Sequence, residues 1–185
     1  MRKKYKILLV LVLISFILFA CVRFTSLSKK KITESEQVIK TFIDYYNSVE
    51  DDKLFDLFYQ CDLKTNAEII SEQGRFLILI DIIQNELGGI LSVDLTREFS
   101  IYKGHTYYVG KNNCFYEGKY YSQMQYKVKF QKHNDVQIKF YMIKDINELK
   151  ILAFSLCFKK GDNTGEKINT QLNKEISNWK YEKIT

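Results

Sequence analysis

The sequence contains no proline in 185 residues, only eight glycines, two histidines and one tryptophan. Without proline there are no Pro-rich linkers or docking segments. With so little glycine there is no Gly-rich loop to cradle a phosphate. The nearest approach, Gly104 to Lys111, has five residues between its glycines instead of four and carries Asn112 where a hydroxyl is needed. The two histidines, His105 and His133, fall in predicted turns, and no cysteine pair has the two-residue gap of a zinc or redox site. No metal and no cofactor are expected. Basic charge on the domain is also scarce. The formal charge is +6, but Arg2, Lys3, Lys4 and Lys6 precede an apolar run, which leaves 24 of the 28 basic residues to face 22 acidic ones. A nucleic-acid partner needs a basic stripe on the folded part, and none is present. What is plentiful is core material: thirteen Tyr and thirteen Phe in a chain that is 46% apolar, a globular composition.

The longest apolar run, ILLVLVLISFILFACV, spans Ile7 to Val22 without a charge. Sixteen residues lie between a secretory h-region of roughly 7–15 and the lower limit of about 17 for a spanning helix. Its end, Leu18-Phe19-Ala20-Cys21, resembles the bacterial lipoprotein signal, in which a small residue precedes a cysteine that becomes lipidated. Phe19 departs from that pattern. The resemblance implies lipidation at Cys21; the alternative is an uncleaved spanning helix. Either reading makes residues 1–22 a signal peptide or membrane anchor. Either places the domain outside the cytoplasm, periplasmic or on the cell surface, with the membrane as a partner. Residues 23–32 are polar and basic and read as a tether.

The domain proper reads as 33–158. Thr33-Glu34-Ser35-Glu36 has the form of a capping box. Val38, Phe42, Tyr45 and Val49 follow at helical spacing, predicting a helix over 34–49. Asp51 or Asp52 is expected to cap a short helix with Leu54, Leu57, Phe58 and Cys61 on one face. Thr65-Asn66-Ala67-Glu68 opens a long helix to about 87, which Gly88-Gly89 stops. The period then changes to two. Leu91, Val93, Leu95, Phe99 and Ile101 are predicted inward, and residues 104–118 form a hairpin region with room for one short strand. Further inward rows are Met124, Tyr126, Val128 and Phe130; then Val136, Ile138, Phe140 and Met142; then Leu152, Phe154, Leu156 and Phe158. Polar Gln123, Gln125, Lys127, Lys129, Gln131, Gln137 and Lys139 are predicted outward. His133-Asn134-Asp135 and Asp145-Ile146-Asn147 are turns.

Three helices followed by a curved antiparallel sheet make an α+β layout. In this order the elements of 33–158 resemble the cystatin-like, cone-shaped nuclear transport factor two-like fold. Small prokaryotic lipoproteins often carry that fold, as does the periplasmic domain of the bitopic assembly protein of type IV secretion systems. Ketosteroid isomerase-like enzymes of the fold place carboxylates and tyrosines inside the cone. Here the inward sheet positions are apolar except for Tyr126, and no acid–base pair is found, so no catalytic residue is expected. Asp44, Tyr45, Tyr46 and Tyr59 could project inward from the helices.

The segment 159–185 is a polar tail in which Ile168, Leu172, Ile176 and Trp179 fall at i, i+4, i+8 and i+11, the stripe of an amphipathic helix. That stripe either docks on its own domain, as expected here, or is covered by a partner protein of the cell envelope. Cys61, Cys114 and Cys157 remain as thiols or a single disulfide. The sequence therefore predicts a membrane-anchored, extracytoplasmic binding or assembly module rather than an enzyme. The alternatives are a small-ligand-binding or catalytic cone, or a bitopic subunit of a secretion or conjugation system.

Overall fold

The computed structural model describes residues 2–60, 65–96, 103–109, 121–146, 148–176 and 182–184. It is an α+β fold with an open antiparallel sheet. The helices are α1 (Arg2–Ser48), α2 (Asp51–Asp56), α3 (Asn66–Leu87) and α4 (Thr164–Glu175). The strands are β1 (Ile90–Leu95), β2 (Lys103–Tyr108), β3 (Ser122–Phe130), β4 (Val136–Asp145), β5 (Glu148–Phe158) and β6 (Glu182–Ile184), in the spatial order β1-β3-β4-β5-β2-β6.

α1 corrects the helix predicted over 34–49. It is one unbroken helix from the apolar run into the domain, and the tether at 23–32 is part of it. The Thr33 capping box does not form. Thr33 instead donates its hydroxyl back to the Lys29 carbonyl at 3.1 Å, as an interior helical threonine does, and Glu34 accepts from the Tyr121 hydroxyl. The C-terminal turns of α1 enter the core through Ile39, Phe42 and Tyr46, with Ile32 and Val38 packed against its edge.

The end of α1 is fastened to the start of β1 by side chains that take the place of strand pairing. Asn47 accepts from the Ile90 amide at 2.8 Å and donates to its carbonyl at 2.9 Å. The Tyr46 hydroxyl donates to the Gly88 carbonyl at 3.0 Å. Gly88 sits at φ 77 with the Gln131 side chain against it, a left-handed position closed to residues with a Cβ. It therefore ends α3 as the sequence predicts. The capping box at the other end of α3 also forms, with Thr65 accepting from the Glu68 amide and the Glu68 carboxylate reaching back to the Thr65 amide.

α2 is capped by neither Asp51 nor Asp52. Its N-cap is Glu50, with no side-chain cap bond, and the two aspartates lie in the first turn, where the helix dipole favours them. Its buried face is Leu54 and Phe55, with Leu57 only half-buried and Cys61 outside the described residues. Beyond α2, Phe58 bridges to Ile151 of β5 in parallel, occupying the edge that β2 leaves free after Ala153.

Strand phase is as predicted on β3 and β4 and fails at two bulges. In β1 the register shifts between Ile90 and Ser92. Ile90 is then buried and Leu91 exposed, whereas beyond the bulge Val93 packs against the core as predicted and Leu95, in the same phase, is exposed. Phe99 and Ile101 lie outside the described residues. Between β4 and β5 the register shifts at Tyr141/Met142. Ile151 therefore takes the inward place predicted for Leu152, and Leu152 joins Tyr141 and Ala153 in a second, smaller apolar cluster. One extra residue exchanges the two faces of a strand. The predicted hairpin region at 104–118 contains the regular strand β2, so His105 is a strand residue and not a turn residue.

Candidate functional site

The place where a cone-shaped fold would hold a ligand lies between the inner sheet face and α1 and α3. Here that space is filled by rings. Phe42 meets Phe140 (5.1 Å between centroids), Phe58 (6.2 Å) and Phe154 (6.2 Å), and Phe154 meets Tyr107 (5.3 Å) and Phe58 (5.9 Å). The void left among Phe42, Tyr46, Ile80, Phe130, Phe154 and their neighbours is about 10 Å³ with no polar lining, at most the room one water needs. Of the four helical candidates, Tyr46 and Tyr45 meet the main core, whereas Tyr59 joins the smaller cluster. Tyr46 is buried and its hydroxyl is committed to Gly88. Tyr59 packs against the Tyr141–Leu152–Ala153 cluster. Tyr45 is half-buried at the edge of the core, and Asp44 is exposed.

Tyr126, the one polar-tipped inward residue predicted, is buried with no hydrogen-bond partner for its hydroxyl among the described residues. Burial, and then the charge of Glu36, push its phenol up to about 12. A phenol held protonated at neutral pH is not a general base. Burial likewise raises the Tyr46 hydroxyl.

The sequence missed one polar constellation in the core. His105 on β2 and Asn169 on α4 are both buried, with the Asn169 amide nitrogen 2.6 Å from His105 Nδ1 and 2.9 Å from the Gly165 carbonyl. An amide nitrogen donates, so Nδ1 accepts and the ring is neutral in this arrangement. Gly165 lets the ring approach: a Cβ there would lie 2.5 Å from His105 Cδ2. The pair joins α4 to the sheet. Its sequence signal, a histidine alternating within a β-pattern, was hidden among the aromatics of 102–108.

The stripe Ile168, Leu172, Ile176 and Trp179 divides. The first three are buried in the domain's own core, which is the docking alternative, so they present no accessible partner surface in this structure. Trp179 lies outside the described residues. α4 is further held to α3 by Lys167 and Gln171, which reach the two oxygens of Glu86 at 2.5 and 2.8 Å. The Lys167 bond is the main reason the Glu86 carboxyl is held below its ordinary range.

Open grooves line the helical side. One, about 750 Å³, runs between α3 and α4 past Leu77, Ile78, Asp81 and Glu175. Asp51 at its rim has its carboxyl raised by burial and by the neighbouring charges of Asp52 and Asp81. No group of three or more His, Cys, Asp or Glu side chains is placed to hold a metal among the described residues. His133 belongs to a surface turn, with Nε2 2.7 Å from Asp162.

On the outer sheet face the polar row is as predicted at Gln123, Lys127, Lys129 and Gln131, all exposed, while Gln137 is buried and receives a 2.7 Å bond from Gln125. Cys157 faces the same side and is a free thiol; Cys61 and Cys114 lie outside the described residues. Burial pushes the Cys157 thiol up to about 11, against a smaller opposing pull from Lys139. In a chain carrying Cys21→Ser, Cys61→Ser and Cys114→Ser, native Cys157 should react with a disulfide reagent at pH 8 about a hundredfold more slowly than after unfolding. That is the loss of thiolate expected between an ordinary thiol and one at about 11. Equal rates in the two states would show that the thiol is open to solvent.

The side chains of residues 7–12 and 18–22, Cys21 included, are outside the described residues. Among those described, no helix is long and apolar enough to cross a membrane; Leu13, Ile14, Phe16 and Ile17 stand exposed on α1. No family profile matches the chain, and no curated protein or solved structure matches it.

Proposed function

We propose that this chain is an extracytoplasmic, membrane-anchored binding or assembly module of the cell envelope, built on a cone-like α+β domain and without catalytic chemistry of its own. The observation that carries the reading is α1. One helix holds both the sixteen-residue apolar run and the Ile39–Phe42–Tyr46 face of the core, so whatever holds the run also holds the domain, without a flexible joint. The filled interior supports a module that works through its surface: a ligand carrier or enzyme of this shape would need a pocket where Phe42, Phe140 and Phe154 meet. The order of three helices followed by the sheet supports the nuclear transport factor two-like assignment.

The unbroken helix also favours a specific second reading, an uncleaved bitopic subunit of a secretion or conjugation system, over a lipoprotein cut before Cys21. Growth with a labelled fatty acid separates them. A lipoprotein takes up label, loses it in Cys21→Ala and is shortened at its N-terminus. The bitopic protein stays unlabelled, full-length and membrane-bound. A chain that is unlabelled and recovered in the soluble fraction would overturn the anchored reading altogether.

A further inference from the structure

We propose that the tip of the β4–β5 hairpin, centred on Ile146, rests in the headgroup layer of the membrane that holds α1, so that the domain meets the bilayer at a second point. The inference rests on the anchored reading above and names the surface through which the domain is oriented.

The geometry starts where α1 enters the domain. The Ser35 and Ser122 hydroxyls are 2.5 Å apart, which sets the first turn of α1 inside the domain level with the start of β3. Tyr46 meets Phe130 at the other end of β3, with ring centroids 6.3 Å apart, so α1 and β3 run in the same direction. Ser122 pairs with Met142, and from that level β4 runs back toward the apolar run and turns at Ile146. Four residues at about 3.3 Å each carry the turn about 13 Å beyond Ser122. On α1, the thirteen residues from Ser35 back to Val22 rise about 1.5 Å each, about 20 Å in all. The hairpin tip therefore ends about 7 Å short of the level at which the apolar run stops, within reach of a headgroup layer about 5–7 Å thick on each side of the hydrocarbon.

The root of the hairpin is pinned to the helix on that side. Lys31 from α1 and Lys144 from β4 both lie over the Tyr121 ring, at 5.1 and 5.4 Å, and the Tyr121 hydroxyl donates to Glu34. The hairpin thus follows α1 as one body.

Ile146 is the residue that asks for a partner. It is 89% exposed and holds φ 50, features that Val49 (63% exposed, φ 57) shares at the end of α1 away from the apolar run, so the level of Ile146 beside that run is what distinguishes it. A β-branched residue in the left-handed region is an outlier, and a turn open to water is served at lower cost by Gly, Asn or Asp. An apolar side chain kept there against that strain gains if its surroundings are not water. The charges at the tip are balanced. Lys144 precedes Asp145, and Lys150 pairs with Glu148 at 3.1 Å. The contact is thus apolar and does not depend on headgroup charge.

Depth-resolved quenching tests this on the full chain. With Trp179→Phe removing the sole native tryptophan, Ile146→Trp and Ile14→Trp are made separately and reconstituted in phosphatidylcholine vesicles. The lipid chains carry bromines either near the headgroup end or near mid-bilayer. Ile146→Trp should emit to the blue and lose intensity with shallow bromines more than with deep ones. Ile14→Trp should show the reverse order. If Ile14→Trp is quenched while Ile146→Trp emits as in water and is unquenched, the hairpin contact is refuted and the anchor stands. If neither is quenched, the anchored reading falls and this inference falls with it.

Discussion

Phe154→Ala is expected to cost about 3–5 kcal/mol of folding stability, the range for removing a buried ring from a core that closes only partly around the gap. Phe154 is 2% exposed and stands where three layers meet. It reaches Phe42 on α1, Phe58 beyond α2, Phe140 on β4 and Tyr107 on β2. Phe42, Phe140 and Tyr107 are held in helix or strand, and Phe58 by its bridge to Ile151 and its amide bond to the Phe55 carbonyl, so they are poorly placed to move into the space. The residual void therefore stays and adds to the lost transfer free energy. The gap would open directly onto the small void that already adjoins Phe154, Ile80 and Phe130. Denaturant unfolding of the full chain in mild detergent, followed by far-UV circular dichroism, measures it. A loss under about 1 kcal/mol would mean that the β5 phase is reversed at this point, since only a solvent-facing phenylalanine is that cheap to remove. If the void admits a small apolar molecule in the variant, stability should recover in its presence, and recovery would identify the loss as a packing defect.

That position was legible before the structure because β5 alternates strictly from Ala153 onward. On α3 the Phe76 ring lies against Phe55 and Phe58, and Ile80 reaches the Phe154 side of the core. Legibility ended where a single extra residue intervened. Nothing in Leu91-Ser92 or Ile151-Leu152 marks a bulge, because a bulge is decided by what the partner strand does, and both were misread for that reason. α1 was misread for a different one. Thr33-Glu34-Ser35-Glu36 has every local feature of a helix start, yet the hydroxyls of Thr33 and Ser35 find carbonyls one turn back, at Lys29 and Lys31, so the helix passes through them. A capping motif states what an end would look like if the chain ended there. The His105–Asn169 pair could not be read at all, since its members are 64 positions apart and only the docking of α4 brings them together.

Leu172→Ala is expected to cost about 2–5 kcal/mol and to lower the stability of the whole domain rather than of α4 alone. A helix of twelve residues is marginal in water, because its first turn is costly to form and its propensity is ordinary. α4 is present because it is docked. Ile168 and Leu172 are fully buried and Ile176 is 5% exposed, and all three belong to the main core. Asn169 adds its bonds to His105 and Gly165 in the same contact, and Glu86 takes Lys167 and Gln171 from the rim. Leu172 is the central residue of the stripe, so its removal should leave Ile168 and Ile176 unable to hold the helix at full strength. The alternative, in which the stripe awaits an envelope protein, gives the opposite result. Stability of the isolated chain would then change by less than about 0.5 kcal/mol, as for an exposed substitution, and the loss would appear only in complexes recovered from membranes. Hydrogen exchange over 164–176 distinguishes the two. Docked, these amides are protected in the wild type and become the first to exchange in Leu172→Ala. Awaiting a partner, they exchange freely in both, and the assignment of α4 to the core would have to be withdrawn.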